Sequence, residues 1–384
     1  MFIKKLHTPE GVKDYLPKEA ALRIEIETKV AKVFKAFGYE SIKTPTFEYE
    51  EVYENKGSIS EKNMYKFVDA DGSVLALRPD MTPAIARVAA TSFDSDQTLR
   101  LCYFEDMFRS NINYRGKQRE FTQAGVELIG EKSIYADAEV IILAIESVLA
   151  TGIEDFKIEI GHSWFQEGLL EELKCSKDIK EKIIKAINNK DYVRVSELSF
   201  LSQGGEKIKN IMKRLPFLIG GKEVIKNIEG TFKNEKSEAA LTYLKELYSL
   251  LENMGYGKYI SFDLSVIGTM DYYTGLIFRG YTPGIGFSII DGGRYDHLLS
   301  DFGTDLPAVG FAFKVNDIMS VMVDSYKEEG CIYVYAKKEN LVKAYKYAAK
   351  LRKEGEKVIV SVKEASEDDK KPKNAKEIVI FREE

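Results

Sequence analysis

Little in this chain of 384 residues points to metal or disulfide chemistry. Its three cysteines, Cys102, Cys175 and Cys331, lie far apart and make neither a disulfide framework nor a CxxC metal motif. The expectation is three reduced thiols in a cytosolic protein without a disulfide or a cofactor. Histidine is equally scarce. His7, His162 and His297 have no ligand-like neighbour at helical spacing, which argues against a zinc enzyme. No apolar run approaches the ~18 residues of a membrane-spanning helix. The first seven residues turn polar too early for a signal peptide. Internal repeats and low-complexity tracts are missing, and so is a charge excess: 56 Lys+Arg stand against 61 Asp+Glu, a net charge of −5. With 44% hydrophobic and 30% charged residues, the composition is that of a globular protein and argues against disorder. The length suits two or three domains.

What is present reads as an α+β pattern. Leu22, Ile26, Val30, Val33, Phe34 and Phe37 share one helical face that Gly38 ends. An extended segment follows over 39–48, confined by Pro45 to a sheet edge, a strand end or an interface. Short apolar runs at 66–69 and 74–77 around Asp71-Gly72 predict a hairpin. A short helix starts near Thr82, with Pro83 in its first turn. Strands over 99–109 and 120–129 bracket a polar loop, a helix covers 137–149, and a strand covers 156–160. Residues 163–253 are rich in Lys, Glu, Leu and Ile and predict a helical insertion. Strands resume at 259–263 and run to about 315, broken by glycine turns at 283–284 and 292–293. A helix over 319–329 leads to a boundary at Gly330. The tail, 331–384, reads as a small strand–helix–strand–strand domain with a solvated charged loop over 364–376. The domains expected are therefore a core over 1–320, containing the insertion, and a C-terminal α/β unit.

Four clusters place polar residues inside apolar strands, where they are costly unless paired. They are 77–83 (Arg78, Asp80, Thr82), 108–127 (Arg109, Gln123, Glu127), 270–275 (Asp271, Tyr272, Tyr273) and 291–296 (Arg294, Tyr295, Asp296). Each is either a ligand site or an internal network of ion pairs. Alone, Tyr272-Tyr273 reads as core and Arg294 as a structural ion pair. Phe121, Gln123, Gly125 and Glu127 share one strand face, with the amide and the carboxylate roughly 13–14 Å apart. Gly125 between them predicts open space for a small molecule. Arg109 on the partner strand could clamp a carboxylate or phosphate.

Together these clusters resemble the catalytic core of class II aminoacyl-tRNA synthetases, specifically histidyl-tRNA synthetase, from about residue 7 to 320. Thr44-Pro45 with Phe47-Glu48 resembles motif 1, Phe108-Arg109 through Phe121 motif 2, and Pro307 to Ala312 the start of motif 3. Residues 271–274 and 292–296 resemble the two histidine-recognition motifs. The resemblance implies an antiparallel sheet flanked by helices. It also implies a dimer built on motif 1 and an amino-acid pocket of Asp80, Thr82, Arg109, Gln123, Glu127, Tyr272, Tyr273 and Tyr295. Carboxylates and phenols suit an ammonium and an imidazole, which need acceptors.

The departures shape the expected function. Gly268 stands where the synthetases carry an Arg before Asp-Tyr-Tyr, Asp317 where motif 3 ends in Arg, and Asn111 where motif 2 has Glu, whereas Arg109 survives. Losing one donor to a phosphoryl transition state costs about 2.7–4 kcal/mol, so adenylation should be negligible and no catalytic residue is expected. No acidic pair with a glycine loop suits phosphoribosyl pyrophosphate; Asp368-Asp369 sits among lysines. The tail carries 14 Lys+Arg and 10 Asp+Glu, which reads as solvated surface rather than an RNA patch, and no tRNA is expected. A kept amino-acid pocket without ATP chemistry is similar to the regulatory-subunit family of ATP phosphoribosyltransferase, paralogues of the synthetase. That resemblance implies a cytoplasmic hetero-octamer with a short-form catalytic subunit around a homodimer core, and histidine as feedback effector. The alternatives are an active histidine–tRNA ligase or a synthetase-like tRNA-binding module.

Overall fold

A computed structural model describes residues 4–54, 61–110, 118–266, 272–324, 326–327, 330–362, 372 and 374–381. It divides into two compact units, Met1–Tyr15 with Leu22–Val321, and Leu16–Ala21 with Met322–Glu384.

Helix α1 (Pro17–Ala36) buries Leu22, Ile26, Val30 and Phe34, one residue per turn. Gly38, at φ +80°, ends it in the left-handed conformation that a side chain would resist. Next come β1 (Glu40–Ser41), β2 (Phe47–Tyr49), β3 (Lys66–Val68) and β4 (Val74–Leu77). Strands β3 and β4 pair as the expected hairpin, Phe67 opposite Leu75, and β2 joins them in a small three-stranded sheet. Helix α2 (Thr82–Ser92), with proline in its first turn, leads to the long strands β5 (Leu99–Phe108) and β6 (Glu120–Ile129). The expected helix at 137–149 extends over Ile134–Thr151 as α3. Strand β7 (Lys157–His162) precedes α4 (Ser163–Glu172), α5 (Lys177–Asn188), α6 (Tyr192–Phe200) and α7 (Glu206–Arg214). A two-residue strand β8 (Ile219–Gly220), α8 (Glu223–Lys226) and α9 (Glu235–Asn253) complete the insertion. Then come β9 (Ile260–Asp263), β10 (Leu276–Tyr281), β11 (Ile290–Arg294), β12 (Ala308–Lys314) and α10 (Val315–Met322), the last starting earlier than the sequence suggested.

Among the described residues the main sheet has nine strands in the order β1-β5-β6-β12-β11-β10-β7-β9-β8. Its centre is antiparallel, but β1 pairs parallel with β5 and β7 parallel with β9. Parallel neighbours need a long crossover, and the helical insertion supplies the one between β7 and β9. Strand β8, inside that insertion, returns to pair with β9. The expected turn at Gly292-Gly293 is instead the middle of β11. A Cβ on Gly292 would lie 2.7 Å from the Gly310 carbonyl oxygen, and one on Gly293 would lie 2.6 Å from the Tyr273 ring. These glycines serve close approach within a strand, not a change of direction.

The sheet has two different faces. On one, Phe34 of α1 meets Phe104 and Phe311 at ring separations of 5.5 and 6.0 Å, and Phe278 joins at 6.4 Å. The other face carries Gln123, Gly125 and Glu127 of β6, directly across from Lys314, Ala312 and Gly310 of β12. The same row continues to Asp291 and Gly293 on β11. Phe262, Phe278 and Phe313 are fully buried on the helix-covered side or at its margin.

The second unit holds β13 (Cys331–Ala336), α11 (Leu341–Lys353), β14 (Val358–Val362) and β15 (Ala375–Phe381). The strands form an all-parallel sheet, β14-β13-β15. Ala344 and Ala348 of α11 pack on Ile332, Val334, Ala336 and Val358. Most of the charged stretch expected as a loop lies outside the described residues.

Candidate functional site

Strand alternation fixes the floor of the site. Gln123 and Glu127 project to the open face of β6, and both are buried. The Thr82 hydroxyl, at the start of α2, donates to Glu127 Oε1 at 2.8 Å. The Tyr295 hydroxyl, one residue past β11, donates to Glu127 Oε2. Opposite Glu127 stands Gly310; a Cβ there would lie 2.8 Å from Glu127 Cδ and closer to its oxygen. Lack of a side chain on β12 is what gives the carboxylate its place.

Asp80 is 4% exposed and accepts a hydrogen bond from the Tyr272 hydroxyl at 3.2 Å. The Tyr272 ring packs against Tyr273 at 5.1 Å and Tyr295 at 5.6 Å, which ties the three phenols into one wall. Arg109 donates from Nε to the Pro79 carbonyl at 3.0 Å, and its guanidinium lies over the Phe121 ring, 5.1 Å from the centroid. It therefore sits beside Asp80, on whose carboxyl its charge acts. The structure thus brings together Asp80, Thr82, Glu127, Tyr272, Tyr273 and Tyr295, with Arg109 and Gln123 at the edge toward Phe121. Gln123 Oε1 is buried with no hydrogen-bond partner, an acceptor awaiting a donor.

Burial governs the electrostatics. It pushes the Glu127 carboxyl up to about 8, although the Tyr295 and Thr82 hydroxyls pull the other way. Burial also raises Asp80, opposed first by the Arg109 charge. The Tyr272, Tyr273 and Tyr295 phenols, desolvated and near carboxylates, are held well above their ordinary value and stay protonated donors.

One residue of the site was missed and one expectation fails. Tyr103 of β5, 1% exposed, lies directly across from Gly125. A Cβ on Gly125 would come within 2.6 Å of Tyr103 Cε1 and nearer still to Cζ and the hydroxyl. The space above Gly125 is filled by a phenol of the protein and not left for a ligand. The other clusters resolve into architecture. Arg78 spends its guanidinium on Glu105 Oε2 at 2.5 Å and on the carbonyls of Asp106 (2.8 Å) and Thr44 (3.2 Å). Arg294 is a structural ion pair as expected, donating from Nε to Asp137 at 2.9 Å and from Nη1 to Asp296 at 3.1 Å. Asn316, next to Asp317, accepts from the Thr122 amide at 2.8 Å and donates to Tyr15 and Gln118. Asn111, Gly268 and Asp271 lie outside the described residues. Among those described, no group of three or more His, Cys, Asp or Glu side chains could hold a metal ion.

Comparison with known proteins matches residues 11–318 to the family model of histidyl-tRNA synthetase. A protein of Caldanaerobacter subterraneus, named ATP phosphoribosyltransferase regulatory subunit, is 40% identical over 355 residues, 91% of this chain and 93% of that one. A protein of the same name from Clostridium kluyveri is 40% identical over 357 residues, 91% of each. A crystal structure described as an ATP phosphoribosyltransferase regulatory subunit/histidyl-tRNA synthetase from Bacillus halodurans superposes with TM-score 0.90 at 31% identity, over 99% of both chains. A histidyl-tRNA synthetase from a Nostoc species has the same fold, with TM-score 0.79 at 21% identity, over 94% of this chain and 87% of that one.

Proposed function

We propose that this chain, which belongs to the histidyl-tRNA synthetase family and to its branch of ATP phosphoribosyltransferase regulatory subunits, is the non-catalytic partner through which histidine controls that enzyme. It is a regulatory subunit, needed for activity and for feedback inhibition of the first step of histidine biosynthesis. Its partner is a short-form catalytic subunit in the cytoplasm, and the assembly is a hetero-octamer around a homodimer of this chain. Histidine occupies the pocket of Asp80, Thr82, Arg109, Gln123, Glu127, Tyr272, Tyr273 and Tyr295.

The observation that carries this reading is a cluster of two buried carboxylates, Asp80 and Glu127, with an unpartnered amide oxygen on Gln123 of the same strand face. Such a site suits a small cationic donor. A triphosphate would meet a lysine that is already engaged. Lys314, the nearest lysine on that sheet face, reaches Asp291 Oδ2 at 2.5 Å and Ser288 Oγ and O at 2.7 and 3.0 Å, which uses its three donors. Asp317 adds a carboxylate where the synthetase carries arginine. Loss of the adenylation arginines is part of the proposal.

Co-expression with a short-form catalytic subunit tests it. The two should co-purify, and this chain should raise the transferase rate and make it histidine-sensitive. Asp80→Asn removes a charge-assisted contact of about 1.5–3 kcal/mol and should shift the inhibiting histidine concentration upward by roughly ten- to a hundredfold. Failure to co-purify together with no effect on rate refutes the regulatory role. Histidine-dependent pyrophosphate exchange by the chain alone would instead make it an activating enzyme.

A further inference from the structure

We propose that the outer face of α11 is where the catalytic partner docks, and that the partner meets it with an acidic amphipathic helix. The inference rests on the reading of this chain as a regulatory subunit and names the surface through which it acts.

Helix α11 carries two apolar seams, where a surface helix ordinarily carries one. The inner seam, Ala344, Tyr347, Ala348 and Leu351, packs on the sheet of the second unit. The outer seam is Val342, Tyr345 and Ala349. Its spacing of i, i+3 and i+7 is the period at which one helix packs along another. With 3.6 residues per turn the two seams face away from each other, so folding of the unit leaves the outer one uncovered. Val342 is 67% exposed and Tyr345 49%, and Ala349 is exposed beside them. Leu341, Val342, Tyr345, Lys346, Ala349 and Arg352 line a groove of about 510 Å³ on that side. Ala349 keeps the groove floor low, which lets a partner backbone come close.

Charge decides the occupant. The helix holds Lys343, Lys346, Lys350, Arg352 and Lys353 and no acid. Arg352 donates from Nε and Nη2 to the Val358 carbonyl at 3.3 and 2.7 Å, which ties the helix end to β14. Among the described residues the four lysines make no ion pair. By helical position Lys346 and Lys353 flank the outer seam on one side and Arg352 on the other. A second copy of α11 would set cations against cations, which opposes self-pairing. An anionic bilayer takes bulky anchors such as Trp, Phe or Leu, and a phosphate backbone would use the lysines but leave the apolar seam unfilled. A helix with its own apolar stripe and Asp or Glu on its flanks answers both features at once. Its stripe fills the groove, and its carboxylates stand beside Lys346 and Lys353.

Sedimentation velocity of the full chain with a short-form catalytic subunit tests the surface. Wild-type affinity should fall as salt rises from roughly 50 to 500 mM. Tyr345→Ala removes the largest side chain of the seam and should weaken the complex about thirtyfold. Lys346→Glu combined with Lys353→Glu should weaken it at low salt and flatten the salt dependence. These positions are exposed, so thermal unfolding of the free variants should match wild type. A photo-crosslinking side chain at position 345 should capture an acidic helical segment of the catalytic subunit. Capture of a second copy of this chain instead overturns the proposal. Wild-type affinity in both variants overturns the surface and leaves the regulatory reading intact, and so does a loss confined to RNA or anionic-vesicle binding. No complex with the wild-type chain refutes the regulatory reading and the surface with it.

Discussion

Gly125→Ala separates two accounts of the middle of the site. If the space above Gly125 were a ligand cavity, a methyl group there would block histidine and leave stability alone. The structure predicts the reverse order of effects. The new Cβ would fall 2.6 Å from Tyr103 Cε1, with Cζ and the hydroxyl nearer. Tyr103 is 1% exposed and packs in the cluster of Met81, Ile85, Leu101 and Met107. The ring must therefore move by most of an ångström against a close-packed neighbourhood. Overpacking of this kind costs about 1–3 kcal/mol, a drop in melting temperature of roughly 1.5 °C per kcal/mol in a unit of this size. Urea or thermal unfolding of wild type, Gly125→Ala, Tyr103→Leu and the double variant makes a cycle. Tyr103→Leu alone should cost stability by leaving a cavity, yet in the double variant the methyl group and the smaller side chain compensate, giving a favourable coupling of about 0.5–3 kcal/mol. Additive losses, or an unchanged stability in Gly125→Ala with histidine binding abolished, would refute the assignment of that space to Tyr103.

Three further outcomes follow from the buried charges. Asp137→Asn leaves the Arg294 guanidinium, 8% exposed, with Asp296 as its remaining carboxylate; unfolding should register a loss near the low end of the about 3–5 kcal/mol typical of a broken buried pair. Burial lowers the His162 imidazole to about 4, below its unfolded value. The unfolded chain therefore takes the proton first, and the His162 contribution is complete above pH 6.5 and lost as pH falls toward 4. His162→Asn, which keeps an acceptor for the Trp164 amide that Nδ1 now binds at 3.2 Å, should flatten stability across that window. Asp291 is held below its ordinary value despite burial, by Lys314 first and Arg279 second. Its stabilisation is present above the unfolded carboxylate range and disappears as pH falls through the lowered value, so Lys314→Met should erase that acid limb and lower stability at neutral pH in chemical denaturation.

Much of this was legible in the chain because the signals were local. The period of Leu22, Ile26, Val30 and Phe34, the Asp-Gly hairpin and the proline at the head of α2 each report on neighbours within a turn or two of backbone. The pocket residues came from ordered motifs that a family resemblance could align. Tyr103 escaped for a different reason. Its role depends on a cross-strand register, Leu99 opposite Ile129 and hence Tyr103 opposite Gly125, and glycine in a strand is equally compatible with a void and with a neighbour that fills it. The expected bounds do not settle it: folding strands 99–109 and 120–129 about the centre of their loop puts Tyr103 opposite Val126, one residue off, and a one-residue slip changes the face. The pair Gly292-Gly293 misled in the same way, since a turn and a tightly packed strand both require glycine. The parallel ends of the sheet were hidden because β1 and β9 meet partners far away in sequence.

The same register explains why the two halves of the sheet face do different things. Along the row from Glu127, the cross-strand partners Gly310 and Gly293 carry no side chain, so the carboxylate, the Tyr295 hydroxyl and the start of α2 can meet there. One pleat away the partners are Ala312 and Asp291, and two pleats away Gln123 meets Lys314. There the charges neutralise one another: Lys314 with Asp291, and Arg279 3.8 Å from the same carboxylate. A phosphate entering that half would have to break ion pairs already formed in a desolvated setting, whereas the first half holds two buried carboxylates, Asp80 beside the Arg109 charge and Glu127 bonded by hydroxyls. On one side of Gly125 the charged side chains pair with one another, and on the other Glu127 is held by hydroxyls alone.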